Sequence, residues 1–430
     1  MGRFLKERFQ LDDHHSTVKR ELVAGLTGYV TIVYIVAVNA AILADAGIPM
    51  QAGVMATILI AFISCMLIGL WSNTPILLVP GMGINVLFVY TFVQEMGLSW
   101  QTALGVVAVT GIVFVMITFS RLAVILEKTV PDSLKEAITV GIGLFLTLIG
   151  LQKGGLVVHN TVTLLALGDF KQPEVWVTLA TLGLMLFLYV RHVPGSLLIT
   201  IIVGTVLGAI FGIVNTHHVS GFSFAKYGDV FGALSFHGWL TLPFWMAAFS
   251  LSMVTVFENF GLINSQIRLI DGSDRSARAL KATSLSVLAS SVVGTSPTVA
   301  TAETAAGIAV GGRTGLTSVT TGGLFLLTLA VTPFVQLVPN SAIAPVLILV
   351  GGLMLQNIKN ISLDDFTEAF PAYLTLAFIP LTSSIPDGMA FGFASYPLLK
   401  MFAGKARQLP FSLYLISALF FIYLVLHVVV

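Results

Sequence analysis

The sequence predicts an all-α, polytopic membrane protein with about 14 transmembrane spans in a seven-plus-seven inverted repeat. Composition is the first reason: 56% of the 430 residues are hydrophobic, only 10% are charged, and the mean hydropathy is +0.96. A soluble core cannot hide that much apolar surface. The second reason is a succession of apolar runs, each long enough to cross about 30 Å of hydrocarbon or interrupted by Gly and Pro. The third is the placement of Lys and Arg, which favour cytoplasmic loops. Of the 21 basic residues, all but Lys153, Lys171 and Lys226 fall in the N-terminal segment or in even-numbered turns. The richest clusters are Arg268, Arg275, Arg278 and Lys281, and Lys400, Lys405 and Arg407.

In order, residues 1–20 are polar and charged (Arg3, Lys6, Arg8, His14, His15, Lys19, Arg20) and lack the apolar core and cleavage site of a secretory signal, so this segment is expected on the cytoplasmic side. Spans follow near 21–43, 51–70, 75–97, 101–119, 133–151, 174–190 and 194–214, making residues 21–214 the first repeat. A more polar extracytoplasmic connection is expected over 215–238. The second repeat, 239–403, carries spans near 240–265, 280–294, 296–312, 315–334, 341–357, 371–385 and 387–403. In the C-terminal segment 404–430, the apolar run from 409 forms an additional span, or the fourteenth if 371–403 is one re-entrant pair. Seven is odd, so equivalent halves must insert with opposite orientation. Two internal matches support that equivalence. V-P-D-S-L-K-E-A-I-T-V-G-I-G-L (130–144) resembles V-P-N-S-A-I-A-P-V-L-I-L-V-G-G-L (338–353), and T-P-I-L-L-V-P-G-M-G-I-N (74–85) resembles S-P-T-V-A-T-A-E-T-A-A-G (296–307).

The second match falls on two spans that do not read as plain helices. Residues 294–315 begin with Pro297 and a β-favouring run (Thr298, Val299, Thr301), and turn small and helical only from Ala302, with a carboxylate at Glu303. Pro75 to Pro80 is similarly extended before Gly81, Met82 and Gly83 open a helix carrying Asn85. Non-helical backbone at membrane depth is tolerated only where it is packed in protein or lines a cavity, so both the third and the tenth span are expected to be discontinuous, with short extended segments beside a binding site.

Two acids lie well inside spans, Glu258 and Glu303. Burying a carboxylate there costs about 2.5 kcal/mol or more unless it is protonated, paired or facing water. With no Lys or Arg near either within the same spans, protonation or a polar ligand is the expected remedy. The competing structural reading makes each acid a cap or a helix-to-helix contact. Gly83, Ala302 and Thr304 flank the breaks, where a ligand can approach the backbone, and Asn85 offers both a donor and an acceptor. Asn39 and Asn259 are supporting candidates, either orienting the acids or bonding helix to helix. Asp387 reads as a cap, and Cys65, the single cysteine, as packing. Histidines show no metal-ligand spacing inside a span, so neither a metal nor another cofactor is expected. A net charge of +1 points to no nucleic acid. Backbone and Asn85 donors with two carboxylate acceptors suit a flat, neutral heteroaromatic amide better than an inorganic anion.

At these residues the chain resembles the AzgA-like purine permeases, a branch of the nucleobase transporter family. The resemblance is carried by A-G-L-T (24–27) with Val38-Asn39, P-G-M-G-I-N (80–85), E-T-A-A-G-I-A-V-G-G-R-T-G-L-T-S-V (303–319) and D-G-M-A-F-G-F-A-S-Y-P-L-L-K (387–400). It implies a core domain (spans one to four and eight to eleven) moving against a gate domain (five to seven and twelve to fourteen), a purine held between the third and tenth spans, uptake driven by protons, and a homodimer in the cell membrane. By motif, Glu303 would bind the base, Asn85 would shape its pocket and Glu258 would occupy the eighth-span acid position. That span departs from the family pattern, F-E-N-F-G-L (257–262) standing where something like F-D-T-x-G-T is usual. The expected function is therefore proton-coupled import of guanine or hypoxanthine, with adenine also in range, and Glu258 and Glu303 in proton coupling. The rivals are an anion transporter of the sulfate-permease type, which two carboxylates oppose, and a membrane-embedded enzyme, for which no nucleophile or metal constellation is visible.

Overall fold

The computed structural model describes residues 2–120, 122, 129–214 and 227–429. Eight helical stretches among them are long and apolar enough to cross a membrane, and Ser196–Ile210 and Phe411–Leu426 are shorter apolar helices. The protein is a multi-pass, mostly helical membrane protein.

A short helix α1 (Gly2–Phe9) precedes α2 (Val18–Ile32), which Thr17 caps by accepting the Arg20 N–H. The expected single span 21–43 is two helices, because α2 stops before Val33 and α3 (Ile35–Asp45) begins after Tyr34. Neither Pro nor Gly lies at the break. The run Val30 to Val36 is rich in β-branched residues, which hold a helix poorly, and the Thr31 hydroxyl bonds back to the Thr27 and Gly28 carbonyls. Helix α4 (Met50–Ser72) ends at Asn73 in the left-handed region. The stretch expected as the third span is broken: strand β1 (Leu78–Pro80) leads into α5 (Met82–Val86), which runs on as a π-helical stretch, Leu87–Glu95. Helices α6 (Trp100–Thr118) and α7 (Asp132–Lys153) follow.

An all-α chain is not quite what forms. Strands β2 (Val157–Asn160) and β3 (Leu164–Leu167) make an antiparallel hairpin where no element is expected. Its cause is local: Val and Leu runs flank Asn160, whose side-chain carbonyl accepts the Val162 and Thr163 N–H groups at 2.8 and 3.0 Å. Helices α8 (Pro173–Val190) and α9 (Ser196–Ile210) complete this half. Of the connection 215–238, residues 215–226 lie outside the described residues.

The second half opens with α10 (Leu242–Arg268) and α11 (Ser276–Val293), then strand β4 (Thr298–Ala300) and the short α12 (Thr304–Ala309), the expected break of the tenth span. Next come α13 (Gly315–Leu327), α14 (Thr332–Val335), α15 (Asn340–Met354), α16 (Phe366–Thr382), α17 (Ile385–Phe402) and α18 (Phe411–Val429). The start of α13 is pinned by Glu21, a wholly buried carboxylate that accepts from Ser16, from the N–H groups of Arg313 and Thr314, and from Thr317.

Helices α2, α4, α6, α10, α11 and α13 pack into one body, with α4 against α13 and α6 against α11 as extensive pairs. A second body forms from α7, α8, α9, α15, α16 and α17, centred on α7 packed between α15 and α16. The two meet along thinner contacts, α2 on α9, α10 on α17 and α5 on α7. At the junction β1 and β4 pair antiparallel, Leu78 opposite Ala300, Val79 opposite Val299 and Pro80 opposite Thr298. The ladder continues at both ends through Gly81 N–H to Pro297 and Thr301 N–H to Leu77. Each broken span thus satisfies the other's backbone at membrane depth, the condition under which such breaks persist.

Candidate functional site

Beside this ladder lies a cavity of about 710 Å³. That is within the 300–1,000 Å³ typical of small-molecule sites. One wall is the chain from Val79 to Gly83, another the chain from Val299 to Glu303, a third the face of α10 with Phe257 and Glu258, and the fourth α7 with Ile138 and Ile142. Its rim carries exposed or half-buried polar residues: Asp132, Lys135 and Glu136 at the start of α7, Arg268 at the end of α10, and Asn357 and Asn360 after α15. A separate concavity between Phe62, Met66, Leu70 and Trp71 is lined by apolar and aromatic side chains and holds no titratable group.

Both intramembrane acids face the cavity. They are held differently. Glu303 sits at the start of α12 and accepts a 2.6 Å hydrogen bond from the Tyr34 hydroxyl, which reaches it from the break between α2 and α3. On Glu258, Oε2 is buried without a hydrogen-bond partner. Protonation or a ligand is what such an oxygen needs in a medium of low dielectric constant.

Gly83 and Ala302 line the cavity with the acids. Asn85 and Thr304 do not. Two residues along a helix turn the side chain by about 200°, so Asn85 points away from the wall that Gly83 forms, and it is wholly buried with neither amide atom bonded. Thr304 is also buried, its hydroxyl accepting the Leu77 N–H at 3.1 Å.

The supporting asparagines orient backbone and neighbouring helices rather than acids. Asn39 donates to Thr57 and Thr295 at 2.7 and 3.1 Å, joining three segments. Asn259 donates to the Thr255 carbonyl and accepts the Ala300 N–H at 3.1 Å, so the residue next to Glu258 holds strand β4. Gln266, about two turns further along the same face of α10, donates to the Thr301 carbonyl at 2.6 Å and fixes the other end of the same segment. Asp387 accepts from Tyr423 at 2.7 Å, while Ser384 caps α17. Cys65 is buried packing, its thiol 3.4 Å from the Leu78 carbonyl.

Sequence reasoning missed Tyr34 and Gln266. Gln266 lies near the end of a span, where polar residues are ordinary, and Tyr34 stands in an apolar run, I-V-Y-I-V, that reads as packing.

Far from the rim, where α3 and α7 end, Lys153 pairs with Asp45 at 2.6 Å. Tyr90, from the π-helical stretch, donates to the same carboxylate oxygen at 2.6 Å, and Gln94 donates to the Asp45 carbonyl. This cluster ties the two helical bodies together on the side opposite the polar rim.

The site is thus a two-acid cavity between two packed bodies, beside two strand-broken segments, in a multi-pass membrane protein. The transmembrane domain of the cyanobacterial bicarbonate transporter BicA has the same fold, with a TM-score of 0.66 over 87% of this chain and 97% of that one at 16% identity. The sequence narrows this further. The Xan_ur_permease model, described as a permease family, matches residues 19–427, and the chain belongs to that family. Its relatives include the nucleobase transporter PlAzg2 of Paenibacillus larvae, 50% identical over 88% of this chain and 77% of that protein. The adenine permease AdeQ of Escherichia coli is 36% identical, over 98% and 96%. The guanine/hypoxanthine permease PbuO of Bacillus subtilis is 35% identical, over 97% and 99%.

Proposed function

We propose that this protein imports a purine nucleobase, guanine, hypoxanthine or adenine, by proton symport with alternating access. The observation that carries the reading is the pairing of two differently held carboxylates, Glu258 and Glu303, in one cavity of purine-binding size. Glu303, oriented by Tyr34, serves as the acceptor for ring N–H groups. Glu258, with one oxygen unpartnered, serves as the proton carrier, because substrate completes its hydrogen bonds only when the cavity is loaded. Ala302 lets the flat base approach the backbone, while the bare Cα of Gly83 lets Ile142 of α7 close on the same wall. The relatives named above as nucleobase, adenine and guanine/hypoxanthine permeases support the substrate class.

The packing supports a seven-plus-seven inverted repeat. The contact of α4 with α13 has its counterpart in α6 with α11, that of α2 with α13 in α10 with α6, and that of α7 with α16 in α15 with α8. In this scheme α2–α6 and α10–α13 form the core, α7–α9 and α15–α17 the gate, and α18 is an additional span. By the distribution of Lys and Arg, the cavity rim with Arg268 and Lys135 faces the cytoplasm, so the conformation is inward-open and the Asp45–Lys153 cluster closes the outer side.

The test is uptake of radiolabelled guanine, hypoxanthine, adenine, xanthine and uracil in cells lacking their own permeases, with and without a proton uncoupler. Uptake of purines that collapses with the uncoupler supports the proposal. Uptake of none, or inhibition by bicarbonate and sulfate instead, returns the function to the anion transporters that share the fold.

A further inference from the structure

We infer that Tyr34 is a specificity residue of the nucleobase site, making it prefer a purine edge with two adjacent N–H donors, as guanine has, over an edge that alternates donor and acceptor, as hypoxanthine has. The inference rests on the nucleobase reading above and deepens it.

Tyr34 is 3% exposed, lines the cavity, and gives its hydroxyl hydrogen to Glu303 at 2.6 Å. A phenol has one hydrogen; once it is committed to the carboxylate, the oxygen has only lone pairs left to offer. The carboxylate keeps an acceptor position of its own, since an ionised carboxyl has about four lone-pair positions and Tyr34, with the Thr301 hydroxyl and the Glu303 backbone N–H beside it, does not fill them all. The base therefore meets two acceptors side by side, one on Glu303 and one on Tyr34. Guanine complements that pair with its ring N1–H and its 2-amino group. Hypoxanthine, identical but for the missing amine, fills the first acceptor and leaves the second without a donor.

The arrangement is fixed rather than adaptable. The ring is buried at the break between α2 and α3, and α12 presents Glu303 from the end of a segment that Asn259 and Gln266 clamp to α10. The Tyr34 oxygen is thus held where the carboxylate holds it. A site in which a buried polar atom goes unpaired discriminates more sharply than one that merely lacks a contact.

The experiment measures inhibition of labelled purine uptake by guanine and by hypoxanthine, in the wild type and in Tyr34→Phe. The wild type is expected to favour guanine by about threefold to tenfold, the range that one neutral hydrogen bond supplies, and Tyr34→Phe to bring the ratio close to one while both bases still compete. A variant that loses affinity for both bases in proportion would overturn the inference, because that is the effect of a tyrosine which only supports the fold. So would an unchanged ratio. Should Tyr34→Phe fail to reach the membrane, the wild type still decides the matter through guanine against hypoxanthine, which share the N1–H and differ only in the 2-amino group: an amine that adds no affinity overturns the inference. Competition by no nucleobase at all overturns the transport reading as well, whereas nucleobase uptake blind to the 2-amino group overturns the role of Tyr34 alone.

Discussion

Glu258 and Asn259 are neighbours with opposite tasks, and substitution separates them. Glu258→Gln keeps the shape and a donor but removes the titratable proton. Purine uptake by this variant is expected to lose its response to an uncoupler and to a pH gradient while binding of purine to the purified protein persists. Full uptake with full proton dependence would sink the assignment of Glu258. Asn259→Ala instead strips the acceptor from the buried Ala300 N–H. An unsatisfied buried donor costs about 1–3 kcal/mol, so this variant is expected to melt several degrees lower in detergent and to lose uptake through a displaced Glu303. The two acids were legible in the sequence because a carboxylate inside an apolar run has no inconspicuous explanation. Tyr34 was not, because a tyrosine has an apolar body and its polar tip reveals itself only when a partner from residue 303 arrives.

At the scale of elements, the stretches read as the third and tenth spans were legible as broken because Pro, Gly and β-branched residues cluster there, yet nothing in either stretch said that β1 and β4 pair with each other. That pairing is a long-range event, made where α4 and α11, the helices that lead into the two strands, pack together. The break at Val33 and Tyr34 was hidden for the converse reason, having no Pro or Gly to mark it. The proposed closure of the outer side makes a prediction about elements too. Lys153 and Asp45 join the ends of α7 and α3, and removing one partner of a largely buried pair leaves the other charge uncompensated. In Lys153→Met, a cysteine introduced as Ala302→Cys is expected to react several-fold faster with an impermeant maleimide added from outside than in the Lys153 background. Equal rates would show that the pair does not hold the bodies together. The gate hairpin carries its own clamp, in which Lys400 meets Glu368 at 2.7 Å and Lys405 meets Asp365 at 3.0 Å. Hydrogen bonds from Thr367, then Lys405, hold the Asp365 carboxyl well below its ordinary value. Stability from a depressed carboxyl is fully present above its unfolded pKa, about 3.9, and is lost only as pH falls through the lower folded value. Acidification to pH 5 is therefore expected to leave the α16–α17 contact intact, as hydrogen exchange across the two helices would register, so that a rise in uptake at that pH reports proton coupling and not a loosened hairpin.

For the whole molecule, the topology proposed from the arrangement of charge assigns each loop a side, and a single reagent can test it. Cys65 is buried with its thiol against a backbone carbonyl, so a membrane-impermeant maleimide is expected to leave the wild type unlabelled and to report only introduced cysteines. Val162, at the tip of the β2–β3 hairpin, is 88% exposed and lies between the fifth and sixth spans, hence outside in the proposed topology. Val162→Cys is expected to react in intact cells. Lys405 and Arg278 belong to the basic clusters placed inside, and Lys405→Cys and Arg278→Cys should react only after the membrane is permeabilised. If the cavity opens inward, Ala302→Cys joins this second group, and a saturating transported purine slows its labelling. Reaction of Lys405→Cys from outside would invert the topology, and with it the direction in which the cavity releases its ligand. Labelling of Ala302→Cys from outside with Lys153 in place would instead keep the topology and place the outer side of the cavity open at rest, leaving Asp45 and Lys153 to join the two bodies without sealing the space between them.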